Sequence, residues 1–239
     1  YCPIGHTIVQ NLLDNNPGNA FAIKIHEGTY AEGFNPDFTT QWGSNIVSQS
    51  NNGGSYPSGT INRQVFPSAS SNGGTSIALG WTNINNNPFI TAAENLLTQS
   101  AYVNVGIEAD LNVDSRELTI HLEAYYTASS PESTNLLNIA ILQNNTIAPQ
   151  SGEGGSNEYN HSHRLVDLIT GQWGDEINNT SAGSFIDRYY TYTIPESYNN
   201  VEAILENIEI VLWQLNLLIQ TAILLLVIKK MRDFLHLFY

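Results

Sequence analysis

Cys2 is the one thiol of the sequence and stands in Tyr1-Cys2-Pro3-Ile4-Gly5-His6, directly ahead of Ile4, Ile8 and Leu12 with Val9 and Leu13 beside them. That spacing predicts a helix with Cys2 near its N-cap and Pro3 near its first position, where the absent N–H costs nothing. A thiol there faces unpaired N–H groups and the positive end of the macrodipole, which favour the nucleophilic thiolate. Cys2 is thus a candidate nucleophile, with an inert small hydrophobe as the competing reading. With no second cysteine, the chain cannot cycle a disulfide within itself. His6, one turn on, is either a cation that favours the thiolate or a solvated surface histidine.

A second constellation is His161 and His163, two apart in a strand expected over 158–168 and therefore on one face with Tyr159, Leu165 and Asp167. They are weak metal-ligand candidates, with His121 or Asp167 as a third ligand, against the alternative of hydrogen-bonded structural histidines. No metal and no cofactor is assigned. Asp175, Glu176 and Asp187 lack the calcium-loop pattern, and Arg164 and Trp173 read as pairing and packing residues. The sequence contains no nucleophile elbow, phosphate loop or dinucleotide fingerprint.

The elements that would position these residues fall into two halves. A chain of 239 residues accommodates two ordinary domains, and the period changes near Ser100. Within 1–100, the N-terminal helix is followed by an apolar strand over 21–26 and a weaker helix over 37–50. Tyr56-Pro57-Ser58-Gly59 then leads into a strand over 60–66, which 75–79 joins as a hairpin partner. Asn87 caps a helix that starts at Pro88 and carries Phe89, Ala92, Ala93, Leu96 and Leu97 on its apolar face. One strand in front would complete a thioredoxin-type unit. In 101–211, Val103, Val105 and Ile107 alternate with polar residues, and Leu118, Ile120 and Leu122 answer them after a turn at Asp114-Ser115. Further strands over 136–142, 158–168, 185–194 and 201–211 predict a β-sandwich.

Eight basic against 22 acidic residues give a formal charge of −14, and the remaining polar surface is uncharged Asn, Ser, Thr and Gly. Phosphate backbones would be repelled, which sets nucleic acid aside as a partner. The composition is that of a β-rich, exported protein. The stretch 210–228 carries no charge and precedes Lys229, Lys230 and Arg232. Three readings stay open for a tail over 212–239: a membrane-spanning helix with a basic flank, an amphipathic helix buried on the domain, and an out-of-frame C-terminus.

Four stretches, taken in order, resemble the Omp28 family of outer-membrane lipoproteins of Bacteroidota. They are Cys2-Pro3-Ile4-Gly5-His6 with Ile25-His26-Glu27-Gly28, then 56–63, then Tyr159-Asn160-His161-Ser162-His163-Arg164, then Gly171-Gln172-Trp173-Gly174. The resemblance covers most of the chain to about Val211. It implies an α/β plus all-β architecture: a thioredoxin-like domain lacking its first strand, followed by an immunoglobulin-like sandwich, in a cell-envelope protein with an adhesion-related role. It also implies that Cys2 is the second cysteine of a C-x-x-C motif whose first lies before Tyr1. Pro57 is then the counterpart of a cis-proline facing the thiol, with Tyr56 offering its backbone to an extended substrate. Without the leading strand, segment 21–26 would expose pairing groups unless something else meets them.

Two functions follow as expectations. One is a non-catalytic envelope protein whose sandwich binds a protein or cell-surface ligand. The other is a thiol–disulfide oxidoreductase using Cys2, Tyr56 and Pro57 with an upstream cysteine. The single thiol and the large sandwich without evident chemistry favour the first.

Overall fold

The computed structural model describes residues 2–29, 31–80, 87–150, 158–216, 222–223 and 229–230. The N-terminal half holds α1 (Cys2–Asn15), α2 (Gly43–Ser50), the short strands β1 (Ser58–Gly59) and β2 (Ile77–Ala78), and α3 (Pro88–Leu97). Ile8 and Leu12 of α1 meet Ile77, Leu79, Phe89 and Ala92 in a small core. α3 starts where its cap dictates, because the Asn87 side chain accepts from the Phe89 N–H at 2.8 Å and Pro88 opens the helix. The helix expected from residue 37 begins only at Gly43, since Asp37 folds back on Thr39 and accepts both its N–H and its hydroxyl. The strand expected over 60–66 does not form. Only Ser58–Gly59 pairs with β2, and the left-handed backbone of Asn62 and Arg63 turns the chain away.

The rest is built from β3 (Val103–Asn112), β4 (Glu117–Tyr126), β5 (Asn135–Gln143), β6 (Thr146–Ala148), β7 (Tyr159–His161) and β8 (Arg164–Leu168). It continues with β9 (Asp175–Ile177), β10 (Phe185–Thr193), β11 (Ser197–Tyr198), β12 (Val201–Glu202) and β13 (Ile208–Asn216), on which β14 (Ala222–Ile223) and β15 (Lys229–Lys230) pair. β10, β4 and β3 make one antiparallel sheet in that order. In the other sheet β5 lies between β13 and β8, with β9 also on β5. The inward residues of both sheets share one core, among them Ile107, Ile120, Leu122, Ile139, Ile141 and Ile210. The architecture is mainly β with few helices, consistent with the α/β plus β-sandwich class expected from the sequence.

The two sheets differ in what covers them, and their sequences record it. β3 and β4 alternate buried and open residues, as strands with one wet face do. β5 is buried almost without interruption, because its second face, with β8 and β13, receives Ile23, Ile25, Trp42 and Ile46 from the N-terminal half. The same double burial explains the apolar run from residue 208. Where the structure describes the stretch expected as a helical tail over 212–239, it is strand: β13 continues to Asn216 and β14 and β15 pair with it. The rest of that tail lies outside the described residues. No helix among the described residues is long and apolar enough to cross a membrane. The strand expected over 201–211 is likewise two pieces, β12 and β13, separated by a 3-10 turn at Leu205–Asn207.

Candidate functional site

Gly5 lies on the first turns of α1, and a Cβ there would stand 2.9 Å from Pro57 Cβ and Cγ and 3.3 Å from Leu79 Cβ. Pro57 therefore packs against the helix one turn beyond Cys2, since residues three apart share a face. The Tyr56–Pro57 peptide is cis, as is Asn35–Pro36. The Pro57 carbonyl accepts from Leu79 N–H at 3.0 Å, so the β1–β2 hairpin holds the proline in place. The Tyr56 ring turns the other way, onto Gly28. Cys2 is a free, half-buried thiol.

His6 is neither solvated nor a cation beside the thiol. Lys24 Nζ donates to His6 Nδ1 at 2.7 Å and to Ser162 Oγ at 3.1 Å. Burial first, then the Lys24 charge, push the His6 pKa down to about 4, which keeps its ring neutral at physiological pH. Burial also brings Lys24 down to about 8, a shift that the Glu209 carboxylate opposes. His26 is held near 3 by burial and by the neighbouring His161, Arg164 and Lys24. His26 edges onto Phe38 and His161, with centroids 5.2 and 5.4 Å away. Arg164 sits over the Phe38 ring at 4.6 Å and donates to Gln143 Oε1 at 2.8 Å.

The expected histidine pair on one strand face is not there. The strand over 158–168 breaks into β7 and β8, and His163 sits between them with φ of +54°. His163 N–H donates to Asn144 Oδ1 at 2.7 Å, and its Nδ1 lies 2.8 Å from Glu209 Oε2. His161 instead faces the Phe38 and Tyr159 rings. Asp167, offered as a third ligand, accepts from Trp42 Nε1 at 2.8 Å and from Tyr192 Oη at 2.7 Å. The other such candidate, His121, lies on the opposite sheet. Among the described residues no group of three or more His, Cys, Asp or Glu is arranged for a metal ion.

This buried seam joins the two halves through the backbone as well. Lys24 N–H donates to the His163 carbonyl at 2.8 Å and Leu165 N–H to the Lys24 carbonyl at 2.9 Å. Segment 21–26 thus meets a backbone partner at β8 through Lys24, which engages pairing groups that would otherwise be exposed. Lys24, Trp42 and Glu209 were missed as organising residues. The signal was present: Lys24 and Glu209 are lone charges inside the apolar runs 22–25 and 208–213.

The open surface lies on the other side, on the outer face of β10, β4 and β3. The strand register sets five rows across it. Phe185 and Tyr125 stand beside Asn104, Asp187 and Glu123 beside Gly106, and Tyr189 and His121 beside Glu108. Thr191 and Thr119 then align with Asp110, and Thr193 and Glu117 with Asn112. Phe185, Tyr125 and Tyr189 are 52, 48 and 67% exposed. Tyr189 stacks flat on His121 at 4.3 Å, and His121 Nε2 lies 2.9 Å from Asp187 Oδ1.

Residues 45–212 match the family of the outer membrane protein Omp28. The chain belongs to the Omp28 family. It is accordingly a protein of the cell envelope, associated with the outer membrane. Among solved structures, HBP35 of Porphyromonas gingivalis is similar in fold with a TM-score of 0.70 at 12% identity, over 98% of this chain and 71% of that one. A domain of the outer membrane lipoprotein Omp28 from Porphyromonas gingivalis matches with a TM-score of 0.40 at 17% identity, over 54% of this chain and 95% of that domain. No match was found among the curated proteins.

In this Omp28 member the stretches that carry the resemblance all touch the contact between the halves or the elements that support it. Gly5 meets Pro57 and His6 meets Lys24. Arg63 sits over the Trp173 ring at 5.8 Å. Gln172 Nε2 donates to the Trp42 carbonyl at 3.3 Å. Gly174, at φ of +90°, lets the chain pass so close to β5 that a Cβ would fall 2.5 Å from the Leu137 carbonyl oxygen.

Proposed function

We propose that this Omp28 protein is a non-catalytic binding protein of the cell envelope, in which the N-terminal half is a scaffold and the sandwich carries the ligand surface. The observation behind it is a division of labour among side chains. Four ionisable groups are paired off in the seam, Lys24 with His6 and His163 with Glu209, while three aromatic rings stand open on the three-stranded face. Exposed aromatics grouped on one sheet face mark interaction surfaces. In finer terms we read the first half as thioredoxin-like, supported by Pro57 on the first turns of α1, and the second as an immunoglobulin-like sandwich. The test is retention of beads coated with the full chain on immobilised basic proteins, acidic proteins and neutral glycans under flow. Retention on one of them that is lost with Phe185→Ser and Tyr189→Ser, and kept with Cys2→Ser, supports the reading. Retention on none, or retention indifferent to the two face substitutions, overturns it.

One observation favours thiol–disulfide exchange as a second reading: Cys2 opens the helix whose next turn packs on Pro57. In that reading an upstream cysteine attacks a substrate disulfide, and Cys2 then attacks the mixed disulfide and releases the substrate as a dithiol. Insulin reduction by the protein carrying that upstream cysteine tests it, and no turnover discards it.

A further inference from the structure

We infer that the outer face of β10, β4 and β3 docks a basic, extended polypeptide segment, whose arginine or lysine side chains lie over Tyr189, Phe185 and Tyr125 and against the carboxylates between them. This rests on the binding reading above and names the partner.

The face is about 27 Å long and about 10 Å wide, from a spacing of about 6.8 Å between alternate residues and about 4.8 Å between strands. Four consecutive rows each carry at least one carboxylate: Asp187 with Glu123, then Glu108, then Asp110, then Glu117. All five acids are exposed. No lysine or arginine stands in any of the five rows. Gly106 leaves the edge of the second row bare, since a Cβ there would meet nothing within 4 Å. The result is an anionic strip with aromatic rings set in it.

Charge decides between the occupants such a strip could take. A second copy would bring its own carboxylates against these in row after row, and like charges facing each other cost energy. Anionic lipid surfaces are repelled for the same reason. A neutral glycan would use the rings but has no need of acids in four successive rows. A guanidinium or ammonium uses both, because the ring face attracts a cation and the neighbouring carboxylate pairs with it. The period fits as well. In an extended segment, alternate side chains repeat at the same spacing of about 6.8 Å as the rows, so basic residues at every second position meet a row each.

The probe is a labelled ten-residue peptide alternating arginine and threonine, titrated with the full chain by fluorescence anisotropy. Binding that weakens as salt rises is expected. The pair Glu108→Gln and Glu123→Gln is expected to weaken it at least about fivefold, and Tyr189→Ser about two- to fivefold. The pair Glu32→Gln and Glu94→Gln, exposed acids off this face with the same change in net charge, is expected to change it less than twofold. The inference is overturned if both acid pairs weaken binding equally, since net charge alone then explains it, or if Tyr189→Ser has no effect. It is also overturned if the chain self-associates through this face and the same substitutions abolish that. A neutral oligosaccharide captured on these rows, with no affinity for the peptide, discards the basic partner and leaves the binding reading standing. No interaction of any kind on this face discards both.

Discussion

Replacing His26 with phenylalanine isolates that residue's share of the seam's response to acid. His26 has a folded pKa near 3 against an ordinary value of 6.5, because burial and the surrounding His161, Arg164 and Lys24 disfavour its charged form. The folded pKa is depressed, so on acidification the unfolded chain takes up the proton first. The stability that His26 contributes is complete above about pH 7 and is lost progressively as pH falls towards 3. At pH 5 the unfolded state has gained about 1.5 units of protonation advantage, which at about 1.4 kcal/mol per unit amounts to about 2 kcal/mol. His26→Phe keeps a flat ring against Phe38 and His161 and removes the titration. The assay is urea unfolding of both proteins at pH 7.5, 6 and 5. The variant is expected to lose about 2 kcal/mol less than the parent between pH 7.5 and 5, whatever its stability at the higher pH. Parallel losses in the two proteins would refute the claim that His26 is held neutral by its surroundings.

Further substitutions test the local geometry. Gly174→Ala places a Cβ 2.5 Å from the Leu137 carbonyl oxygen at a left-handed φ, and is expected to cost about 2 kcal/mol or more, read as a lowered thermal midpoint. Asn87→Ala removes the α3 cap and should cost about 1 to 2 kcal/mol by urea unfolding. Trp42→Phe keeps most of the packing on the six-stranded sheet but takes the Nε1 donor from Asp167, for an expected loss of about 1 to 2 kcal/mol. Combining it with Asp167→Asn should cost less than the two single losses together, because the residues share one hydrogen bond.

Much of this architecture is legible in the sequence where local rules act alone. The Asn87-Pro88 start of α3 and the β3–β4 hairpin follow from a cap and from alternation. The misreadings fall where tertiary contacts override local preference. Nothing in the residue types of Ser162-His163 announces a break. The chain turns there because the His163 N–H, carbonyl and ring are all engaged, by Asn144, Lys24 and Glu209. The run from residue 208 reads as helix or strand with equal ease, because a strand covered on both faces loses the alternation that identifies it. Of the candidate site, the resemblance implies Pro57 beside the first helix, and Pro57 meets that helix at Gly5. The seam is not legible in that way, since it depends on which face of the second sheet the first half covers.

The seam explains why lone charges persist inside apolar strands. Lys24 interrupts Ala22-Ile23-Lys24-Ile25 and Glu209 interrupts Ile208-Glu209-Ile210, and either one buried without partners would cost several kcal/mol. Docked, Lys24 donates to His6 and Ser162 while its backbone pairs with β8, and Glu209, 1% exposed, accepts from Asn144 beside His163. A slip of segment 21–26 by one residue along β8 would exchange Lys24 for Ile23 or Ile25 at the polar position and turn a charge onto the apolar patch of Leu142, Leu165 and Val211. The charges therefore select one register between the halves more than they add stability. On the proposed binding reading, a contact selected in that way would hold the sandwich in one orientation with the opposite sheet left open.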